Sequence, residues 1–325
     1  MTDRQDRMVA DALRGSWVHR FLPERFWPFA QLARWERPIG WWLLMWPCQW
    51  SLMMAVASHA PIAGPAGAYT WTYWANIGVY FLLFMAGAFV MRGAGCTYND
   101  LVDVDIDNQV ARTRSRPLPS GRVTRKQAAI FLALQLLAGL GILLQFNWYT
   151  IQVGVISLIT VLIYPFMKRI TWWPQLFLGL AFSWGAFMGW ASVEGQLAWP
   201  PVILYAGSIL WVIGYDTIYA HQDIEDDALV GVKSTARLFG ENTKTAVSLL
   251  FGGAMALFAL AFSLAGVMWP AWFGLGLGAA HMFWQMRTLD ISSPQTCLML
   301  FKSNSQFGWI IFGGLLAAAL VPILF

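Results

Sequence analysis

Two short stretches concentrate the acidic side chains of this 325-residue chain: NDLVDVDID, from Asn99 to Asp107, and DIEDD, from Asp223 to Asp227, the second preceded by Asp216. At helical spacing Asp100, Asp103 and Asp107 fall within about 60° of arc while Asp105 points elsewhere, and Asp216, Asp223 and Asp227 fall within about 40° of one another. Like charges this close raise one another's pKa, so keeping them ionised requires a compensating cation. Clustered carboxylate oxygens suit a hard ion such as Mg²⁺, which commonly completes its octahedron with water and substrate phosphates. If the two acidic faces converge, a diphosphate bridged by two Mg²⁺ fits the gap. Arg112, Arg116 and Lys168, and with them Arg122 or Lys233, would then neutralise diphosphate oxygens as an ester bond breaks.

Arg92 projects within about 40° of Asn99 and Asp103 but two turns deeper. It either snorkels to headgroups or faces a cavity and pairs bidentately with a planar carboxylate, from the protein or from a substrate. Taken singly, each arginine reads equally well as a marker of membrane topology, and NDLVDVDID as a solvated acidic loop. Asp216, two turns inside an apolar run, is a functional candidate by default, with a neutral hydrogen-bonded Asp as the bland alternative.

The elements that must hold these residues are membrane helices. The chain is 58% hydrophobic and 12% charged, against about 25% charged residues in soluble domains. Apolar runs of roughly 17–22 residues can each cross a hydrocarbon core of about 30 Å. Nine spans are expected, near 39–58, 77–98, 128–146, 149–167, 174–192, 201–222, 246–267, 271–287 and 306–324. They form one membrane domain over 37–325, preceded by an amphipathic segment, 1–36, along the membrane surface. The apolar residues of that segment are too scattered for a secretory leader, and Asp3, Asp6 and Asp11 argue against a mitochondrial transit peptide.

With the N-terminus cytoplasmic, the 21 Lys and Arg fall in the N-terminal segment, in or beside the loops at 99–127, 168–173, 223–245 and 288–305, or at Arg92, and the opposite side keeps Glu194. That is the positive-inside pattern. It accounts for the net charge of +4 through topology and lipid headgroups, and no basic groove interleaved with aromatics suggests nucleic acid. The 20 tryptophans cluster at span ends as interfacial anchors. Cys48, Cys96 and Cys297 show no metal-ligand or disulfide spacing. His19, His59, His221 and His281 read as packed or surface residues, although His221 lies within the second acidic cluster. Acidic clusters closing the second and sixth spans hint at two related halves whose active edges face each other.

These stretches resemble the UbiA family of intramembrane aromatic prenyltransferases. NDLVDVDID matches its NDxxDxxxD motif and DIEDD its DxxxD motif. RPIGWWLLMWP (37–47), FVMRGAGCTYND, RTRSRPLPSG, YPFMKR and GYDTIYAHQDIEDD with GVKSTARLFG are similar to the branch whose acceptor is 4-hydroxybenzoate. The resemblance covers 37 to about 240. It implies an all-α bundle of nine transmembrane helices around a central cavity that opens to the cytoplasmic face and laterally to lipid. It also implies two Mg²⁺ and a polyprenyl diphosphate. Carried over, Asn99, Asp103 and Asp107 would serve one metal, and Asp216, Asp223 and Asp227 the other. Lys168, with Tyr164 nearby, would contact diphosphate beside Arg112 and Arg116, and Arg92 would hold the carboxylate of 4-hydroxybenzoate.

The activity so implied is an electrophilic aromatic substitution serving ubiquinone biosynthesis. An allylic cation develops as diphosphate leaves, the ring carbon ortho to the phenol attacks, and a base, Asp103 by preference, takes a proton. The catalytic candidates are Asp103, Lys168 and Arg92, and the expected location is a bacterial inner membrane. Two readings compete. Another acceptor (dihydroxynaphthoate, homogentisate, haem or a chlorophyll precursor) would keep the family, whereas an ion transporter would use Asp216 and Arg92 differently. A purely structural scaffold would not need two carboxylate faces.

Overall fold

A computed structural model describes residues 16–67, 71–109, 113–222, 224–229 and 231–324, with backbone alone at 60–67, 225–227 and 322–324. Every regular element among the described residues is helical: α1 (Trp17–Phe21), α2 (Trp27–Leu32), α3 (Ile39–Gly67), α4 (Trp71–Asp107), α5 (Arg125–Leu143), α6 (Trp148–Ile170), α7 (Pro174–Phe182), α8 (Gly185–Glu194), α9 (Trp199–Ala220), α10 (Ile224–Leu229), α11 (Thr235–Phe239), α12 (Thr243–Ala265), α13 (Trp269–Thr288) and α14 (Pro294–Leu324), with short 3-10 turns between some of them. The chain is a multi-pass membrane protein. Among the described residues, seven segments are long and apolar enough to cross a bilayer: α4, α5, α6, α7 with α8, α9, α11 with α12, and α14. The long helices α3 and α13 carry tryptophan, glutamine and histidine among their apolar residues (Trp41, Trp42, Trp46, Gln49 and Trp50; His281, Trp284 and Gln285).

Local chemistry sets the helix ends. Thr124 and Gln127 form a reciprocal capping box that starts α5, and the Asn147 side chain accepts from the Thr150 amide, 2.9 Å, to start α6; each satisfies amides with no partner inside the helix. The span expected at 174–192 is broken in two. Ala186 bonds to Ser183 and Phe187 to Trp184 by tight i to i−3 bonds, while the Trp184 indole donates to Val153 O at 2.9 Å, tying the break to α6. The connection expected at 288–305 is also revised: α14 begins at Pro294, since proline suits a first helical turn. The extra turns bury Cys297, Leu300 and Asn304 completely.

α3 runs through the interior, packed against α8, α14 and α4, with Trp46, Trp50, Leu52 and Met54 fully buried. Polar atoms in a hydrocarbon setting must be satisfied internally. The Trp50 indole accordingly donates to Gly308 O at 2.9 Å, and that of Trp211 to Asn304 Oδ1 at 2.8 Å. α9 lies against α12 and α7, which fixes the helix carrying Asp216.

Two features aim the chain at its site. First, α4 has 37 residues, about 55 Å of helix at 1.5 Å per residue, well beyond the hydrocarbon thickness. Its last turns therefore carry Asn99 to Asp107 past the apolar part of the span. Second, residues 16–36, expected as a strip along the membrane surface, dock on the charged end of α4. Leu32 joins a cluster with Val104, Leu118, Val123 and Ala128, and Trp35 stacks on Phe89 with centroids 5.4 Å apart. Gly93 leaves room for this strap: a Cβ there would stand 3.2 Å from Ala33 Cβ and 2.7 Å from the Gln135 amide.

Candidate active site

A cavity of about 910 Å³ lies among α3, α4, α5, α6, α7, α8 and α9. One end is charged and polar, lined by Arg34, Arg37, Arg92, Asn99, Asp100, Arg116, Tyr164 and Asp216. The rest is aliphatic and aromatic, including Leu83, Phe84, Leu136, Leu140, Leu143, Phe146 and Leu158. The helices bearing the two acidic clusters thus border one space. Asn99 of α4 and Asp216 of α9 share its wall, whereas Asp103, Asp107 and Lys168 are not part of that wall.

The predicted helical face is present. Asp100, Asp103 and Asp107 are 1%, 1% and 5% exposed, while Asp105 stands in solvent and meets Arg125 at 3.3 Å. Burying three carboxylates along two turns demands cations, and four basic side chains supply them. Arg34 reaches Asp100 Oδ1 at 2.9 Å. Arg116 donates to both oxygens of Asp107, at 3.0 and 2.9 Å, and lies 3.7 Å from Asp100. Lys168 makes a short contact with Asp103 Oδ2, and Arg169 holds Oδ1 at 3.0 Å.

Arg92 turns into the cavity. Its guanidinium lies over the Phe182 ring, 5.5 Å from the centroid, and Nη1 contacts the Cys96 thiol. Nε is buried with no hydrogen-bond partner, and Arg92 makes no ion pair with the described residues. A guanidinium that faces the cavity with donor capacity to spare can take an anion that arrives from outside.

Other candidates fall elsewhere. Arg122 ties the loop to the strap through Gln31 Oε1, 2.8 Å, and Ser115 O, 2.6 Å. Lys233 donates to Ile170 O at 3.0 Å and sits over Trp172. His221 is buried against Thr243 Oγ1 at 3.0 Å, and that burial lowers its pKa, so packing is its visible role. Arg112 and Asp223, and the side chain of Asp227, lie outside the described residues.

Sequence reasoning passed over Arg34 and Arg169. Arg169 was legible as the second cation of YPFMKR. Arg34 was not, because its reach depends on a left-handed backbone, φ 57°. A non-glycine residue in that region costs of order 1–3 kcal/mol and persists where the surroundings enforce it. Here the Arg34 side chain also donates to Gln31 O at 2.7 Å, which fixes its approach to Asp100.

The donors suit magnesium in kind, being carboxylate and amide oxygens, and Asp100 Oδ2 is buried with no hydrogen-bond partner. Among the described residues no three acidic, histidine or cysteine side chains form a ligand set by themselves. A metal held here would draw further oxygens from outside that set, such as phosphate oxygens.

Residues 44–312 match the UbiA prenyltransferase family. The mitochondrial 4-hydroxybenzoate polyprenyltransferase of Arabidopsis thaliana is 46% identical over 316 residues, covering 96% of this chain and 74% of that protein. The 4-hydroxybenzoate geranyltransferase 1 of Lithospermum erythrorhizon is 40% identical over 99% of this chain and all of its own length. Among solved structures, a UbiA homolog from Archaeoglobus fulgidus bound to GPP and Mg²⁺ superposes with a TM-score of 0.65 at 18% identity, covering 92% of this chain and all of that one.

Proposed function

The chain belongs to the UbiA prenyltransferase family, and from that membership we propose that it transfers a polyprenyl group from polyprenyl diphosphate to 4-hydroxybenzoate. The bond forms at the ring carbon ortho to the hydroxyl, and diphosphate is released, in the service of ubiquinone biosynthesis. The observation that carries the reading is one cavity with Arg92, a guanidinium that makes no ion pair among the described residues, at its polar end and a long apolar wall beyond it. A carboxylate-bearing ring and a greasy tail need those two surroundings side by side.

Asn99, Asp103 and Asp107 would hold one Mg²⁺, and Asp216, Asp223 and Asp227 the second. Bound magnesium neutralises diphosphate oxygens and assists their departure. Arg116 and Lys168, with Arg112 and Tyr164, bind the same oxygens; the first two already hold the acidic face and carry the charge a leaving diphosphate needs. As the carbon–oxygen bond breaks, the allylic carbon becomes cationic and the apolar wall keeps water from capturing it. Arg92 orients the ring by its carboxylate, the ring carbon forms the new carbon–carbon bond, and Asp103 takes a proton from the phenol or the ring.

On this reading α3 and α13 join the seven apolar segments to give nine transmembrane helices, with a lateral opening for the prenyl tail. Residues 16–36 lie against the charged end of α4 ahead of the membrane domain, and the rest of the expected surface segment, 1–15, lies outside the described residues. The charge asymmetry supports placing the N-terminus and basic loops on the cytoplasmic side of a bacterial inner membrane.

The direct test is to incubate membranes containing the protein with Mg²⁺, a polyprenyl diphosphate and a panel of aromatic acids, and to identify the product by mass spectrometry. A prenylated 4-hydroxybenzoate that vanishes on chelation is the expected result; a product formed only from another acceptor would reassign the substrate. Arg92→Ala should raise the KM for 4-hydroxybenzoate about 10–100-fold, the worth of a charged hydrogen-bonded contact. The KM for the diphosphate should stay near its original value. An unchanged acceptor KM would remove Arg92 from the site.

A further inference from the structure

The guanidinium of Arg92 does not rest against side chains alone. Across the cavity end, the first turn of α3 presents Gly40 to it. A Cβ placed on Gly40 would stand 2.6 Å from Arg92 Nε, 3.3 Å from Cζ and 3.2 Å from Nη2. A side-chain carbon does not make a non-bonded contact with nitrogen at 2.6 Å, so the guanidinium lies where any other residue at position 40 would put an atom. Gly40 has no turn to make: it is helical, and a positive φ occurs elsewhere. Glycine weakens a helix interior relative to alanine, and the space it leaves is filled by Arg92.

From this geometry we infer that Gly40 is a positioning residue for the aromatic acid: it seats the Arg92 guanidinium between the α3 backbone and the Phe182 ring, and so sets which acceptors the enzyme distinguishes. The inference rests on the reading of Arg92 as the carboxylate receptor. It deepens that reading by assigning part of acceptor specificity to a residue that itself offers the acid no charge.

The obstacle to a larger residue is the far end of a flexible side chain, not backbone. Gly40→Ala therefore folds and pushes the guanidinium out of its seat. The experiment measures steady-state kinetics in magnesium for wild type, Gly40→Ala, Arg92→Ala and the double variant, with 4-hydroxybenzoate and its methyl ester as acceptors. Gly40→Ala should raise the KM for the acid about tenfold, as a displaced charged contact would. Activity on the ester and the KM for the diphosphate should stay unchanged, so the preference for acid over ester collapses. In the double variant the effects should not add, because the two residues act as one unit.

If Arg92→Ala weakens the acid and Gly40→Ala does not, or if the two losses add, the inference falls and the reading of Arg92 stands. If Arg92→Ala leaves the preference for acid over ester intact, both fall. A Gly40→Ala protein that loses its fold, seen as a lowered melting temperature, would assign the glycine to helix packing and overturn the proposal.

Discussion

Asp103→Asn is expected to lower prenyl transfer about 10³-fold, the scale of losing a principal electrostatic element of a buried site. Asparagine preserves the shape and removes the charge. The residue is 1% exposed, with Lys168 and Arg169 on its two oxygens, so the change leaves two cations facing a neutral amide. The magnesium dependence of diphosphate binding should weaken in parallel. Asp105→Asn is the internal control: that carboxylate lies two residues away, stands in solvent and, among the described residues, meets the surface residue Arg125, a class of ion pair worth about 0–1 kcal/mol. It should leave turnover within about twofold. Product formation by mass spectrometry and diphosphate binding with and without magnesium check both variants. Near-normal turnover in Asp103→Asn would end its assignment to metal and base.

The contrast between Asp103 and Asp105 shows what the sequence made legible. Helical periodicity alone separates the buried face from the exposed residue, and the apolar runs locate most of the long helices. A register of 100° per residue is local, so it survives whatever the rest of the chain does. What stayed hidden depends on contact across the fold. Arg34 reaches Asp100 only because the strap crosses α4 at Gly93 and its backbone turns left-handed. The break between α7 and α8 is likewise set by Trp184 bonding to α6. The extension of α14 to Pro294 escaped hydropathy because Asn304 is polar yet wholly buried, bonded to Gln285 of α13 and to the Trp211 indole. A scale that rewards apolarity ends a helix where an internal polar network continues it.

Gly189→Ala should be the most destabilising of the conservative changes, with almost no direct effect on chemistry. GAFMG, Gly185 to Gly189, puts two glycines on one face of α8, the small-xxx-small spacing that lets membrane helices approach closely. The partner is α3. A Cβ on Gly189 would stand 2.6 Å from the Leu52 amide nitrogen, 3.0 Å from Ser51 Cβ and closer still to Cys48 O, and one on Gly185 would stand 2.9 Å from the Cys48 amide nitrogen. These obstacles are mostly backbone atoms. They cannot swing aside as Arg92 can at Gly40, so the helices must separate. Overpacking of this kind costs typically about 1–3 kcal/mol, equivalent to roughly 2–5 °C in melting temperature for a chain of 325 residues. Gly252→Ala on α12, where an added Cβ meets nothing within 4 Å, should be neutral or slightly stabilising, since alanine favours the helix. Melting curves of the purified protein in detergent separate the two. Equal stability of Gly189→Ala and wild type would mean that α3 and α8 are not in close backbone contact. The helix that presents Gly40 to Arg92 would then lack the support that holds it in place.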